Sequence, residues 1–193
     1  MQDAACVILA GGQSRRMGRD KAMLEAGKET FLGRLIREYG RELPVYVSVA
    51  RPGQFVHPGA GEIVDCRPGM GPLAGLEAAF LQTVAERVFL TATDLPFGTL
   101  ALAKELLSRM GNHDACVIRR KDGSPEPAFG IYGKACLEPV QSLLDGNRRA
   151  MRGLLERVDA VFVEEASLSG FDLDRILWNI NTPEAYEKAL ELL

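Results

Sequence analysis

The chain is short of the residues around which many hydrolytic and redox enzymes are built. Its 193 residues include two histidines, His57 and His113, and neither stands in a motif. There is no G-x-S-x-G, no H-E-x-x-H and no cysteine placed as a nucleophile, which argues against serine-hydrolase and zinc-peptidase chemistry. The four cysteines, Cys6, Cys66, Cys116 and Cys136, are widely spaced and form no C-x-x-C. That pattern disfavours a metal cluster or a disulfide framework and fits a reducing cytoplasm. No long basic run is present and the net charge is −3, so neither nucleic acid nor an anionic membrane is expected as the main partner. No apolar run approaches the roughly 20 residues of a membrane span. The opening MQDAACVILAGG has no basic segment ahead of its short apolar stretch, unlike a signal peptide. Repeats, low-complexity tracts and linkers are also lacking, which predicts a single domain over residues 1–193.

What is there is a soluble, globular composition: 47% hydrophobic and 25% charged, with mean hydropathy near zero. Short β-rich runs alternate with segments of helical period. ACVILA (5–10) predicts a strand buried on both faces. Phe31, Leu32, Leu35, Ile36, Tyr39 and Leu43 predict an amphipathic helix capped by Thr30. Strands are expected at 45–50, 62–65, 87–93, 115–120, 128–133 and 160–165. Helices are expected at 71–86, 99–110, 134–144 (bent or broken by Pro139) and 147–158. A short strand from Ile176 is expected to run into a last helix begun by Thr182 and Pro183. This alternation predicts an α/β fold, a mostly parallel sheet covered by helices.

Ligands of such sheets bind beyond the carboxyl ends of the strands. There, directly behind the first strand, stands ILAGGQSRRMGRDKAML (8–24). Gly11 and Gly12 allow close approach of the backbone, while Ser14, Arg15, Arg16 and Lys21 add a hydroxyl and three cations. Together they describe a polyphosphate cradle. It is not a dinucleotide fingerprint, because Gly11, Gly12 and Gly18 are wrongly spaced. Nor is it a Walker loop, since five residues separate Gly12 from Gly18 and Arg19-Asp20 precede the lysine.

Other candidates lie at further strand ends. Asp94 follows the apolar Val88–Thr91, and Pro96 stops the strand, so its carboxylate is placed to hold Mg²⁺ or simply to form a turn. Asn179 and Asn181 would share one face of an extended segment with Trp178 and Ile180 on the other, although Asn181 also suits the helix entry. Gly71 to Gly75 opens a helix, and Asp65 ends the strand before it. Arg148, Arg149 and Arg152 would cluster on one helix face, either solvated or facing a phosphate.

The segment L-A-G-G-x-S-x-R-M-G-x-D-K resembles the signature of nucleotidyltransferases that activate small phosphorylated acceptors, above all the molybdenum cofactor guanylyltransferases. Four more stretches match that family in order: VDCRPGMGPLAG (64–75), TATDLPF (91–97), LDGNRRAMRGLLE (144–156) and NINTPE (179–184). The resemblance implies a three-layer, Rossmann-like nucleotidyltransferase fold, nucleotide-binding to about residue 110 and acceptor-binding after it. It implies Mg²⁺-dependent transfer of GMP from GTP to the terminal phosphate of molybdopterin, with release of pyrophosphate. Arg16, Lys21 and Asp94 would be catalytic. Leu9, Ala10, Gly11, Gly12, Ser14, Arg15, Lys21, Asp65, Gly71, Pro72, Leu73, Gly75 and Asp94 would meet the nucleotide. Arg148, Arg149, Asn179 and Asn181 would meet the acceptor, and Asp94 with Asn181 the metal. Transient contacts with cofactor-synthesis proteins and apo-molybdoenzymes are also implied.

Two other readings stay open. One is a cytidylyltransferase acting on the same cofactor or on another small phosphorylated acceptor, although those for the cofactor typically show L-A-A-G where this chain has Leu9-Ala10-Gly11-Gly12. The other is a silent nucleotide-binding module that keeps the fold. One departure from the family pattern is Ser48, near a position after the second strand where asparagine is frequent.

Overall fold

In the structure, a computed structural model, residues 3–10, 24–26 and 29–192 are described. Seven strands form one sheet in the order β5-β4-β1-β6-β8-β7-β9. They are β1 (Ala4–Leu9), β4 (Val45–Val49), β5 (Gly61–Val64), β6 (Arg87–Ala92), β7 (Ala115–Arg119), β8 (Pro125–Gly133) and β9 (Ala160–Glu164). All pairings are parallel except those of β8, which is antiparallel to both β6 and β7. A two-stranded piece, β2 (Glu25–Ala26) with β3 (Glu29–Thr30), lies outside it.

Strand β1 is apolar throughout because it is covered twice. Cys6 and Ile8 enter the core on one side of the sheet, Ala5 and Val7 the core on the other. Val7 and Ile8 are each 0% exposed, worth about 1.5–3 kcal/mol apiece in burial. The first side is closed by α1 (Phe31–Tyr39), α3 (Leu100–Met110) and α6 (Leu173–Ile176). The second is closed by α2 (Pro72–Gln82), α4 (Leu137–Asp145) and α5 (Met151–Leu155). Helix α7 (Pro183–Leu190) packs through Ala189 in a small cluster with Leu24, Phe31, Phe97 and Ile180. Thr30 and Thr182 cap α1 and α7 as expected, accepting from the N–H groups of Gly33 and Ala185.

Three expectations are corrected. Pro139 does not break its helix: a 3-10 turn over Lys134–Cys136 hands over to α4, whose first turn has no use for the missing N–H. Arg148 and Arg149 lie outside α5 and share no helix face with Arg152. The cause is the end of α4, where Asn147 takes a left-handed φ of 54°. Its N–H donates to Leu144 and that of Arg148 to Leu143, a Schellman ending that turns the chain out of the helix. Finally, no strand runs through 176–181. Residues 173–176 are helical, and the N–H of Ile180 makes a single bond to the carbonyl of Asp94.

Candidate functional site

The parallel strands end in register, and their hydrogen bonds stitch the candidate residues into a row. The N–H of Ala10 donates to the Ser48 carbonyl at 3.2 Å, and that of Thr93 to the Leu9 carbonyl at 3.2 Å. The N–H of Asp65 donates to Val49 at 2.9 Å, and that of Ile180 to Asp94 at 2.8 Å. Asp65, Ser48, Leu9, Ala10 and Asp94 thus occupy neighbouring positions on one edge, with 179–181 beside Asp94. Asn179 and Asn181 are exposed while Ile180 is buried, so both amides point away from the core, as alternation predicted, without a strand to enforce it. Trp178 stacks on Phe97, ring planes 4° apart and centroids at 5.8 Å, which fixes the segment from its other side.

Beside Leu9 the packing is close. Ser48 is 2% exposed, and its hydroxyl donates to the Asp65 carboxylate at 2.6 Å. A Cβ on Gly75 would come within 2.8 Å of the Ser48 oxygen and closer still to a Leu9 methyl, so only glycine lets α2 lie this near to β1 and β4. Gly71, at φ +74°, is the N-cap residue of α2, and Pro72 opens the helix. The Leu73 side chain is wholly buried, so only its backbone can face a ligand. Partial burial pushes the Asp65 carboxyl up from its usual range, and the Ser48 hydroxyl opposes that rise.

Arg149 does not stand on a helix face. It donates to the Gly69 carbonyl at 3.3 Å and to the Asn147 side chain, tying the stretch before α5 to the loop before α2. Arg148 lies on the same stretch and is exposed. A second tie runs alongside: Arg67 bonds Asp145 at 2.6 Å and approaches the buried Glu77 at 3.4 Å. Gly11, Gly12, Ser14, Arg15, Arg16 and Lys21 lie outside the described residues.

Glu126, a half-buried carboxyl of β8, was not singled out from the sequence. Its carboxyl is raised chiefly by burial, opposed by a bond from the Ala128 N–H and by Arg120, with the charge of Asp94 adding to the rise. A clue was available in Pro125-Glu126-Pro127, a charge locked between two prolines at a strand entry. Among the described residues, no three His, Cys, Asp or Glu side chains converge as a metal centre. The oxygen donors here, the Asp94 carboxylate and a neighbouring asparagine amide, fit a hard divalent cation that completes its shell with water and phosphate.

Comparison with known proteins gives consistent findings. The MobA-like NTP transferase domain matches residues 6–161. A probable molybdenum cofactor guanylyltransferase of Pelotomaculum thermopropionicum is 31% identical, over 98% of this chain and 93% of its own. The molybdenum cofactor guanylyltransferase of Mesorhizobium japonicum is also 31% identical, over 100% of this chain and 97% of its own. Among solved structures, molybdopterin-guanine dinucleotide biosynthesis protein A of Archaeoglobus fulgidus superposes with a TM-score of 0.84 at 23% identity, covering 98% of this chain and 97% of that one. With strands, edge and close-packed glycine in hand, the family follows: the chain is a member of the MobA-like NTP transferases.

Proposed function

We propose that this nucleotidyltransferase moves GMP from GTP to the terminal phosphate of molybdopterin, forming the guanine dinucleotide and pyrophosphate. The observation that carries the reading is the single edge shared by Asp65, Leu9, Ala10 and Asp94. It combines a partly buried carboxylate for a base with a charged strand end for phosphates, in a chain whose full-length relatives bear the guanylyltransferase name.

Guanine presents two adjacent N–H donors on one edge, which a carboxylate such as Asp65 accepts together, whereas cytosine offers an acceptor beside its amino group. Ser48 holds that carboxylate in place. Arg16 and Lys21 would grip the triphosphate. Asp94 and the Asn181 amide would hold Mg²⁺, which when bound neutralises charge on the triphosphate oxygens. An oxygen of the acceptor phosphate attacks the α-phosphorus in line, the bond to the β-phosphate oxygen breaks, and pyrophosphate leaves. The attacking phosphate is already ionised, so no general base is required; alignment and charge neutralisation are what the protein supplies.

The test compares GTP, CTP, ATP and UTP with Mg²⁺ in thermal shift, on wild type and Asp94→Ala, and then measures pyrophosphate release with molybdopterin. GTP at 100 times its dissociation constant adds about 2.7 kcal/mol, a rise of roughly 5–11 °C for a domain of this size. Asp94→Ala should cut release by about 10²–10³. A preference for CTP would overturn the base, and nucleotide binding without pyrophosphate release would favour a silent module.

A further inference from the structure

The catalytic edge continues past Asp94. Because β8 is antiparallel to both neighbours, β7 runs parallel to β6, and its last residue, Arg119, emerges on the same edge. There a cavity of about 440 Å³ opens between the β7–β8 turn, α5 and β9. Its lining spans β7 and β9, two and three strands from β6 in the order β6-β8-β7-β9, hence about 10–15 Å from the Asp94 strand end at ordinary strand spacing. Arg148–Ala150 leads directly into α5, so the stretch that touches Gly69 through Arg149 continues into the wall of this cavity. A larger cavity, about 520 Å³, includes Ala4 and Arg87 at the opposite edge of the sheet, where nothing of the candidate site reaches it.

The lining is unlike that of a phosphate site. Arg119 and Arg152 face inward with Asp122 and Glu156, two charges of each sign. Arg152 is paired with Glu156 at 3.3 Å and Arg119 with Glu164 at 2.9 Å, so the positive charge is already matched. The Arg119 guanidinium lies 4.2 Å from the centre of the Phe162 ring, and both line the cavity. The Asp122 carboxylate is held by the Ser124 hydroxyl at 2.6 Å and its N–H at 2.8 Å. Balanced charge, a flat cation stacked on an aromatic ring and a fixed carboxylate suit a neutral planar heterocycle with donors and acceptors on its rim.

We infer that this cavity takes the pterin end of the acceptor, with Arg119 and Phe162 as the stacking platform and Asp122 accepting from the amino-pyrimidinone edge. The inference rests on the guanylyl-transfer reading. It adds to that reading the place where the acceptor is recognised, at a distance that lets a short phosphorylated arm reach Asp94.

The experiment titrates 6-hydroxymethylpterin by fluorescence quenching against wild type, Arg119→Gln and Asp122→Asn, and measures KM for molybdopterin in GMP transfer. Both side chains reach solvent, and the amide oxygen introduced by Asp122→Asn can still accept from Ser124, so an unchanged thermal shift with GTP serves as the folding control. Pterin affinity should fall and acceptor KM rise by about tenfold in each variant, with GTP affinity unchanged. Phe162→Leu should behave alike. Transfer by wild type with acceptor KM unaltered in all three variants would overturn the cavity and leave the function standing. Pterin binding that the variants abolish, without GMP transfer by wild type, would do the reverse. Failure of wild type to quench the pterin would overturn the cavity outright.

Discussion

The two ends of the candidate edge are built by different means. Around β5, β4, β1 and β6, every strand is parallel, and the site is set by backbone bonds and close-packed side chains: Ser48 is buried, Asp65 is bonded at 2.6 Å, and Gly75 leaves no room for a methyl. Around β8, β7 and β9, one strand runs against its neighbours, and the β7–β8 register slips between Val117 and Ile118. The edge there is furnished with long side chains in solvated ion pairs, Arg119 with Glu164 and Arg152 with Glu156. Pairs of this kind each add about 0–1 kcal/mol and can rearrange. A close-packed wall discriminates by shape, whereas a solvated one adapts. On the proposed function, the difference suits an enzyme that must choose one base strictly while receiving and releasing a bulkier acceptor.

Gly75→Ala strikes the rigid end hardest. Its new methyl would overlap Leu9 and the Ser48 hydroxyl, so α2 must move away from the sheet or Leu9 must leave its rotamer. Overpacking of this sort costs about 1–3 kcal/mol. Urea unfolding should register that loss, and the GTP-dependent thermal shift should shrink with it. A variant of normal stability and normal GTP response would show that this end tolerates change as readily as the other, and the contrast would collapse.

Between the two ends, Arg149→Ala removes the bonds to Gly69 and Asn147. These are exposed contacts, so stability should fall by no more than about 0.5–1 kcal/mol. The acceptor KM should rise several-fold while the GTP response stays put. An equal loss of GTP affinity would mean that the loop before α2 depends on this tie, and that the two ends act as one.

How far all this could be read from the chain alone depends on the interaction. Strand β1 was legible because burial on both faces leaves a run of six apolar residues, and the caps Thr30 and Thr182 because their side chains act three residues away. Asp94 was legible as an apolar strand stopped before a proline. The ending of α4 was not: Asn147 is of a type that accepts a left-handed conformation, but its neighbours do not say that the helix ends there and turns Arg148 and Arg149 away. The partnership of Ser48 with Asp65 spans 17 residues and depends on the relative register of two strands, which composition does not encode locally. The Arg119–Phe162 pair was missed for the same reason, since it exists only once β7 and β9 have paired.

The smallest expected effect has the opposite sign. The Asp65 carboxyl is raised in the folded protein, mainly by burial, so the folded state holds that proton more tightly than the unfolded chain does. Ionising it therefore costs stability. The cost is absent below the unfolded value near pH 3.9, grows as pH rises towards the folded value, and is complete above it. Asp65→Asn keeps an acceptor for the Ser48 hydroxyl and removes the buried charge. The variant should thus be slightly more stable than wild type near pH 7, with the gain vanishing as the pH falls to about 4. Its GTP response should weaken near pH 7, where an amide donor replaces one of the two acceptor oxygens, and the difference should close as the pH falls and wild-type Asp65 takes up its proton. Paired urea melts across that range check the first part, and a gain that persisted unchanged at acid pH would assign it to packing. A stabilised variant that has lost its nucleotide would mark Asp65 as a residue kept for binding at the expense of the fold, the position where the rigid end of the edge gives up stability for specificity.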